Sequence, residues 1–331
     1  MKKSLLFCGV AALAFASCTQ NEVLDVNENR AIGFDVFVGK PTRTGEVVQA
    51  SFSKFAVYGS YTTDNLSWTP VYQNVTVNGT NNSNWTPEKQ AYWQSGASYS
   101  FCAYSNGNDV LADNKVTFDA ATTKLSFTNY EAGENDLVVA SNSTITSVNP
   151  STQGGVQLSF KHMLSKVKFT FKTDASDNYT MKVNSLKISN AIKTGSCDYT
   201  NGTIGDWAGI ADGEYIYTVT GLTDFAATSG APFETVMYLI PQANASLEAT
   251  ISVNVTDGGA LDKTKTFNVP LKYTPATVDG KGKANEWTEG YVYNYIATIN
   301  PDDITSDVKE IEFTTSVDTW TESNDQNWSA N

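Results

Sequence analysis

The stretch Ile32-Gly-Phe-Asp-Val-Phe-Val38 alternates large apolar side chains with mostly small or polar ones. Ile32, Phe34, Val36 and Val38 fall on one face, and Gly33, Asp35, Phe37 and Gly39 on the other. This two-residue period predicts a strand with one buried face, so four apolar side chains require a groove to fill. At about 1.5 to 3 kcal/mol for each fully buried side chain, removing such a strand would forfeit on the order of 6 to 12 kcal/mol of gross burial. That is comparable to the whole stability of a domain, so an emptied groove needs a replacement strand.

Two arginines bracket this stretch. Arg30 and Arg43 are the only arginines among 22 basic residues, so an Arg-specific protease could cut only near the N-terminus. Arg43 lies past the strand in Pro41-Thr-Arg-Thr-Gly45, a composition that predicts an exposed, mobile loop. Cutting there would detach the strand from the body, whereas cutting at Arg30 would leave the strand in place.

Before the strand the chain reads as an export signal. Lys2 and Lys3 supply a positive start, Leu5 to Phe15 an apolar run too short for a finished membrane span, and Phe15-Ala-Ser-Cys18 small residues before a cysteine. The last four residues resemble a bacterial lipobox with Phe15 in place of the usual leucine, which makes residues 1–17 a signal peptide and Cys18 the site of lipidation. Two or three acyl chains would hold the product at a membrane where a single chain would not. No other window is long and apolar enough to span a bilayer.

The remaining length suits two domains of about 150 residues each. With 16 Tyr, 16 Phe, 7 Trp and only 17% charged residues, the composition favours pleated surfaces over exposed helix faces. A net charge of -13, which becomes -15 once Lys2 and Lys3 are removed, argues against a nucleic-acid partner, because such a partner needs a basic face. With Cys8 cut away and Cys18 lipidated, Cys102 and Cys197 remain; they are read as two buried small hydrophobes in preference to a bridge. No Cys/His cluster suggests a metal, and no cofactor is expected.

Short strand patterns separated by Asn, Gly, Ser and Thr clusters run through the first half. They cover Phe52 to Tyr58, Val71 to Val77, Ser98 to Tyr104, Val116 to Phe118 and Asp136 to Ala140. A longer apolar segment, Val156 to Phe171, leads into a polar stretch from Lys172 to Asp177, where the domain boundary is expected. The second half repeats the pattern at Val183 to Ile188, Tyr215 to Val219, Thr235 to Pro241, Ala249 to Val255, Lys265 to Leu271, Tyr291 to Ile299 and Glu310 to Val317. The expectation is an all-β chain of two tandem β-sandwiches with few, short helices. Its units are a propeptide carrying the first strand at 18–43, an N-terminal sandwich at 44–172 and a C-terminal sandwich at 173–331.

Several of these segments, taken in order, resemble the fimbrillin family. They are Phe34 through Thr44, ending in Pro-Thr-Arg-Thr; Phe55-Ala-Val-Tyr58; Ala91-Tyr-Trp-Gln-Ser-Gly96; Tyr99-Ser-Phe-Cys-Ala-Tyr104; Asp136-Leu-Val-Val-Ala140; Val156 to Val167; and Trp287-Thr-Glu-Gly-Tyr-Val-Tyr293. Gln94 stands where the family often has a proline. The resemblance implies a lipoprotein precursor of type V pili, anchored to the outer membrane and built from two transthyretin-like β-sandwiches. It also implies that an extracellular Arg-specific protease removes the first strand, here Ile32, Phe34, Val36 and Val38, by cutting at Arg43, and that a neighbouring subunit's strand takes its place.

Other conspicuous residues read as structure. His162, the only histidine, alternates with Phe160 and Leu164 as a hydrogen-bonded core residue would. The acidic runs at Asn300 to Ile304 and Glu322 to Asp325 lack a calcium-loop pattern and read as solvated turns. Tryptophans of this number suit sandwich cores better than a sugar platform. A structural pilus subunit, tip or accessory in preference to stalk, therefore accounts for the lipobox, the strand and the arginines together. The alternative is a surface lipoprotein that binds glycans or host proteins, which leaves the cleavable strand unexplained. An enzyme is disfavoured, because a single histidine and no nucleophile motif leave little for catalysis.

Overall fold

The computed structural model describes residues 30–38, 51–80, 83–142, 144–173, 180–217, 233–256, 262–272, 282–306 and 313–319. In chain order the strands are β1 (Phe34–Phe37), β2 (Lys54–Thr62), β3 (Thr69–Thr80), β4 (Ser83–Pro87), β5 (Ser98–Asn106), β6 (Val116–Asp119), β7 (Lys124–Glu131), β8 (Leu137–Ser141), β9 (Val156–Ser159), β10 (Lys161–His162) and β11 (Ser165–Lys172). They continue with β12 (Thr180–Thr200), β13 (Thr203–Ile204), β14 (Ala208–Ile216), β15 (Phe233–Leu239), β16 (Gln242–Ala243), β17 (Glu248–Thr256), β18 (Asp262–Pro270), β19 (Glu286–Trp287), β20 (Tyr291–Thr298) and β21 (Thr314–Thr319). Among the described residues, helix is confined to a 3-10 turn at Asp113–Lys115 and to α1 (Pro301–Thr305). No helix there is long and apolar enough to cross a membrane. The fold is all-β, as the strand-rich composition predicts.

The first sandwich is centred on a six-stranded sheet in the order β10-β8-β5-β2-β3-β4. Its middle strands are apolar on both faces, which is the pattern of a sheet covered on both sides. On one face Phe55, Val57, Phe101, Ala103, Val138 and Ala140 join a core with the β1–β9 pair. On the other, Ala56, Tyr58, Cys102, Tyr104 and Val139 meet β6 and β7. There Tyr58 donates to the Val116 carbonyl at 3.0 Å, and the Tyr104 and Phe127 rings pack edge to face.

The second sandwich pairs a four-stranded sheet, β15-β11-β20-β21, with a seven-stranded one, β18-β17-β12-β7-β6 plus β13 and β14. Val167, Phe169, Phe171, Tyr293 and Tyr295 from the first meet Val183, Leu186, Ile188, Ile251 and Val253 from the second in the larger core. Lys187 and Ile188 pair with both β14 and β17, while Thr194 and Gly195 pair with both β14 and β7. Strands β17 and β7 therefore lie end to end along one edge of the 21-residue β12, with β14 along the other. Gln242 satisfies the Ile192 backbone in both directions, at 2.7 and 3.0 Å.

Sheet membership and chain order part company at the division expected between Lys172 and Thr173. Both β7 and β11 precede it, yet they are hydrogen-bonded into sheets whose other members mostly follow it. The acidic run at Asn300 to Ile304 supplies the one α-helix among the described residues: Pro301 opens it, and the Asp303 carboxylate accepts from the Asn300 N–H at 2.8 Å.

Candidate functional site

Among the described residues β1 pairs with β9, which runs parallel to it with Phe34 opposite Val156 and Phe37 opposite Ser159. Val156 donates to the Gly33 carbonyl at 2.8 Å and Phe160 to the Phe37 carbonyl at 2.9 Å. Just before β1 the chain is held by a second segment: Ile32 donates to Ala91 at 2.9 Å, and Trp93 donates to Arg30 at 3.0 Å. Strand β4 also lies close to β1.

The apolar face of this short strand closes the smaller core. Ile32, Phe34 and Val38 are buried, and Val36 is half-buried against the same cluster. The Phe34 ring sits 5.8 Å from Phe55, 5.8 Å from Tyr72 and 6.4 Å from Phe101, two of the three edge to face. Val156, Leu158 and Phe160 of the partner segment enter the same cluster, so two parallel strands with the same alternation lie over the six-stranded sheet. Burial pushes the Tyr72 phenol up to about 12, which keeps it protonated at neutral pH.

The outward face is polar. Gln157 donates its side-chain amide to the Asp35 carboxylate. A side chain at Gly155 would come within 2.7 Å of that carboxylate, so the absence of a Cβ is what allows the two segments to lie so close.

Cys18 and Arg43, the expected lipidation and cleavage positions, lie outside the described residues. The remaining candidates are structural. His162 Nδ1 lies 2.9 Å from the Asp136 carboxylate, and both side chains are buried. Cys102 and Cys197 are free, buried thiols. Burial pushes the Cys197 thiol up to about 12 and holds Cys102 well above the ordinary thiol range, the opposite of an activated nucleophile. Trp85, Trp93 and Trp287 are core residues, and Trp207 donates its indole N–H to the Met163 carbonyl at 3.0 Å. Trp320 and Trp328 lie outside the described residues. Among the described residues no three His, Cys, Asp or Glu side chains are grouped so as to hold a metal.

The sequence pattern finds the strand but not its groove. Trp85 of the wall, whose ring is 5.2 Å from that of Phe52, comes from a segment with no strand signal of its own. The alternation of Val156, Leu158 and Phe160 is legible, whereas its pairing with residues more than a hundred positions earlier is not.

Comparison with known proteins bears on most of the chain. The family model described as Fimbrillin-like matches residues 42–320. The fimbrium subunit Fim1C of Phocaeicola vulgatus is 28% identical over 189 residues, covering 50% of this chain and 50% of its own length, so the match spans about half of that curated relative. Among solved structures, a fimbrial protein from Bacteroides vulgatus superposes with a TM-score of 0.54 at 19% identity, over 88% of this chain and 100% of that one. A cell-adhesion candidate from Bacteroides uniformis gives a TM-score of 0.53 at 17% identity, over 88% and 98%. At these identities the structures establish the shared fold.

Proposed function

The chain belongs to the fimbrillin-like family, and from that membership we propose that it is a structural subunit of a type V fimbria, without catalytic activity, assembled with other pilus subunits at the cell surface. In this reading it is exported as a lipoprotein, held at the outer membrane through Cys18, and activated when an Arg-specific extracellular protease cuts at Arg43. Strand β1 then leaves, and a strand from a neighbouring subunit enters its groove. The propeptide is residues 18–43 and the sequence divides near residue 172 into two stretches, 44–172 and 173–331, the first of which lends β6, β7 and β11 to the sheets of the second sandwich.

The observation that carries the reading is the manner in which β1 is held. The segment from Ile32 to Val38 places three apolar side chains, Ile32, Phe34 and Val38, in a core, β1 runs beside β9 as a parallel pair, and the sequence that follows the segment contains Arg43. A strand with that much buried surface leaves an apolar groove when it departs, and a replacement strand with the same alternation can fill it. The family model begins at residue 42, beside the expected cut. A tip or accessory position is supported by β21, which pairs with β20 of its own chain, Val317 opposite Tyr293, and so is occupied at home.

Protease treatment of the Arg43→Ala protein tests the mechanism. The variant should remain a lipidated precursor that never enters a fibre, whereas the unaltered chain is cut and assembles. SDS-resistant oligomers from Arg43→Ala in the presence of the protease would show that assembly does not depend on this cut.

A further inference from the structure

Of the two arginines, Arg30 lies among the described residues, and it is exposed. The peptide bond that follows it is not offered to a protease in the same way. The Arg30 carbonyl accepts from the Trp93 N–H at 3.0 Å, Ala31 forms an antiparallel bridge with Tyr92, and the Ile32 N–H donates to the Ala91 carbonyl at 2.9 Å. One residue further on, the Gly33 carbonyl accepts from Val156 at 2.8 Å. Ile32 itself is fully buried, in the cluster that contains Phe34 and Trp93. An enzyme that takes its substrate as an added strand needs the same backbone groups that Ala91 and Trp93 already hold. Cutting between Arg30 and Ala31 therefore requires a local opening that draws Ile32 out of the core and breaks this pairing.

We propose that the Arg30–Ala31 bond is a second cleavage site for an Arg-specific protease, held closed by the fold until β1 leaves its groove, so that the two cuts fall in a fixed order. The inference rests on the strand-exchange reading and adds a step after it. Water adds across the bond under catalysis by the protease, leaving a carboxylate on Arg30 and an amine on Ala31. The order matters at both ends. An early cut at Arg30 would part the body, with β1 still seated, from the lipid on Cys18, and the pairing to Ala91 and Trp93 prevents that loss. After exchange, the displaced strand stays tethered at the membrane near the groove it left, and its effective concentration there favours return. The cut at Arg30 removes the tether, the segment from Ala31 diffuses away, and exchange becomes one-way.

The lipidated chain in detergent, treated with an Arg-specific protease and followed by mass spectrometry, provides the test. In the folded Arg43→Ala chain, which keeps β1 seated, the cut at Arg30 should be at least about a hundredfold slower than in a synthetic peptide of residues 25–36. Adding Ile32→Ala to that chain should speed the cut by at least about tenfold, because the open form becomes easier to reach. In the unaltered chain the cut at Arg43 should come first. Arg30 should follow when an excess of a fluorescent copy of residues 31–40, which contains no arginine, is captured in place of the cut strand. Equal rates in the folded chain and the free peptide, or no response to Ile32→Ala, would overturn the inference while leaving strand exchange intact. An Arg30 that stays uncut after the peptide has been captured would do the same. Failure to cut at Arg43, or to capture the peptide, would count against strand exchange itself and would take the order of cuts with it.

Discussion

Replacing Phe34 by alanine tests whether β1 is a working part of the first core. The ring is 5% exposed and meets three other aromatic rings at 5.8, 5.8 and 6.4 Å, so its loss leaves a cavity that the rigid sheet beneath cannot close. Substitutions of this kind cost about 3 to 5 kcal/mol. The whole strand, with three side chains buried and one half-buried, contributes roughly 5 to 10 kcal/mol of gross burial, so one substitution should remove about half of what holds it. Equilibrium unfolding in urea, followed by tryptophan emission, is suited to the measurement because Trp85 and Trp93 lie in the smaller core. With a urea slope of about 2 to 3 kcal/mol/M, the midpoint of that transition should fall by about 1 to 2.5 M. The two cores need not melt together, so the transition of the larger core should move less. Asp35→Ala, on the exposed face, removes only a surface contact to Gln157 and should cost less than about 1 kcal/mol. Equal, small shifts for both variants would mean that β1 merely rests on the sandwich and that its departure opens no groove.

Cys18→Ala should abolish metabolic labelling with palmitate and move the precursor out of the membrane fraction; label retained in the variant would exclude Cys18 as the acylated residue. Cys102 and Cys197, buried and with thiol pKa values raised, should resist a thiol reagent at pH 8 in the folded protein and react in urea, and rapid labelling of either in the native state would contradict their burial. Because the folded Cys197 thiol holds its proton to about 12 against an ordinary value of 9.0, the folded state binds more protons between these limits, and stability should fall as pH rises from about 9. Deleting Thr321 to Asn331, polar apart from Trp328 and Ala330, should leave folding and incorporation unchanged. Long homopolymers of cut protein that disappear with the tail would instead mark a stalk subunit.

The fold class was legible because the strands that make the cores keep a clean two-residue period or a continuous apolar run. Phe55 to Tyr58 and Tyr99 to Tyr104 are of this kind, and their double-sided burial follows from their unbroken apolarity. Strands with bulges were harder to see. Strand β7 loses its alternation at Asn129, which has a φ of 50°, and β12 loses its own at Asn190, with a φ of 59°; the sequence pattern finds no strand at β7 and stops β12 at Ile188. The sequence pattern starts β14 only at Tyr215, because Ala208-Gly-Ile-Ala-Asp-Gly-Glu214 is short of β-formers and pairs along β12 through repeated register shifts. At the site, the buried face of β1 could be read from four residues. Its parallel partner could not, since a local pattern carries no record of distant pairing.

Strand β12 has a mechanical consequence. At about 3.3 Å per residue a 21-residue strand is a beam of roughly 70 Å, less what its bulges take up. One end is bonded to β17 and the other to β7, whose neighbour β6 packs under the sheet that accommodates β1. A load applied to the first sandwich would therefore pass into the second through ladders pulled lengthwise, with many hydrogen bonds sharing the tension, as well as through the linking chain. Two bodies joined in this way cannot swing like beads on a string, and a filament made from them would owe its stiffness within each link to that shared girder and its compliance to the joints between links.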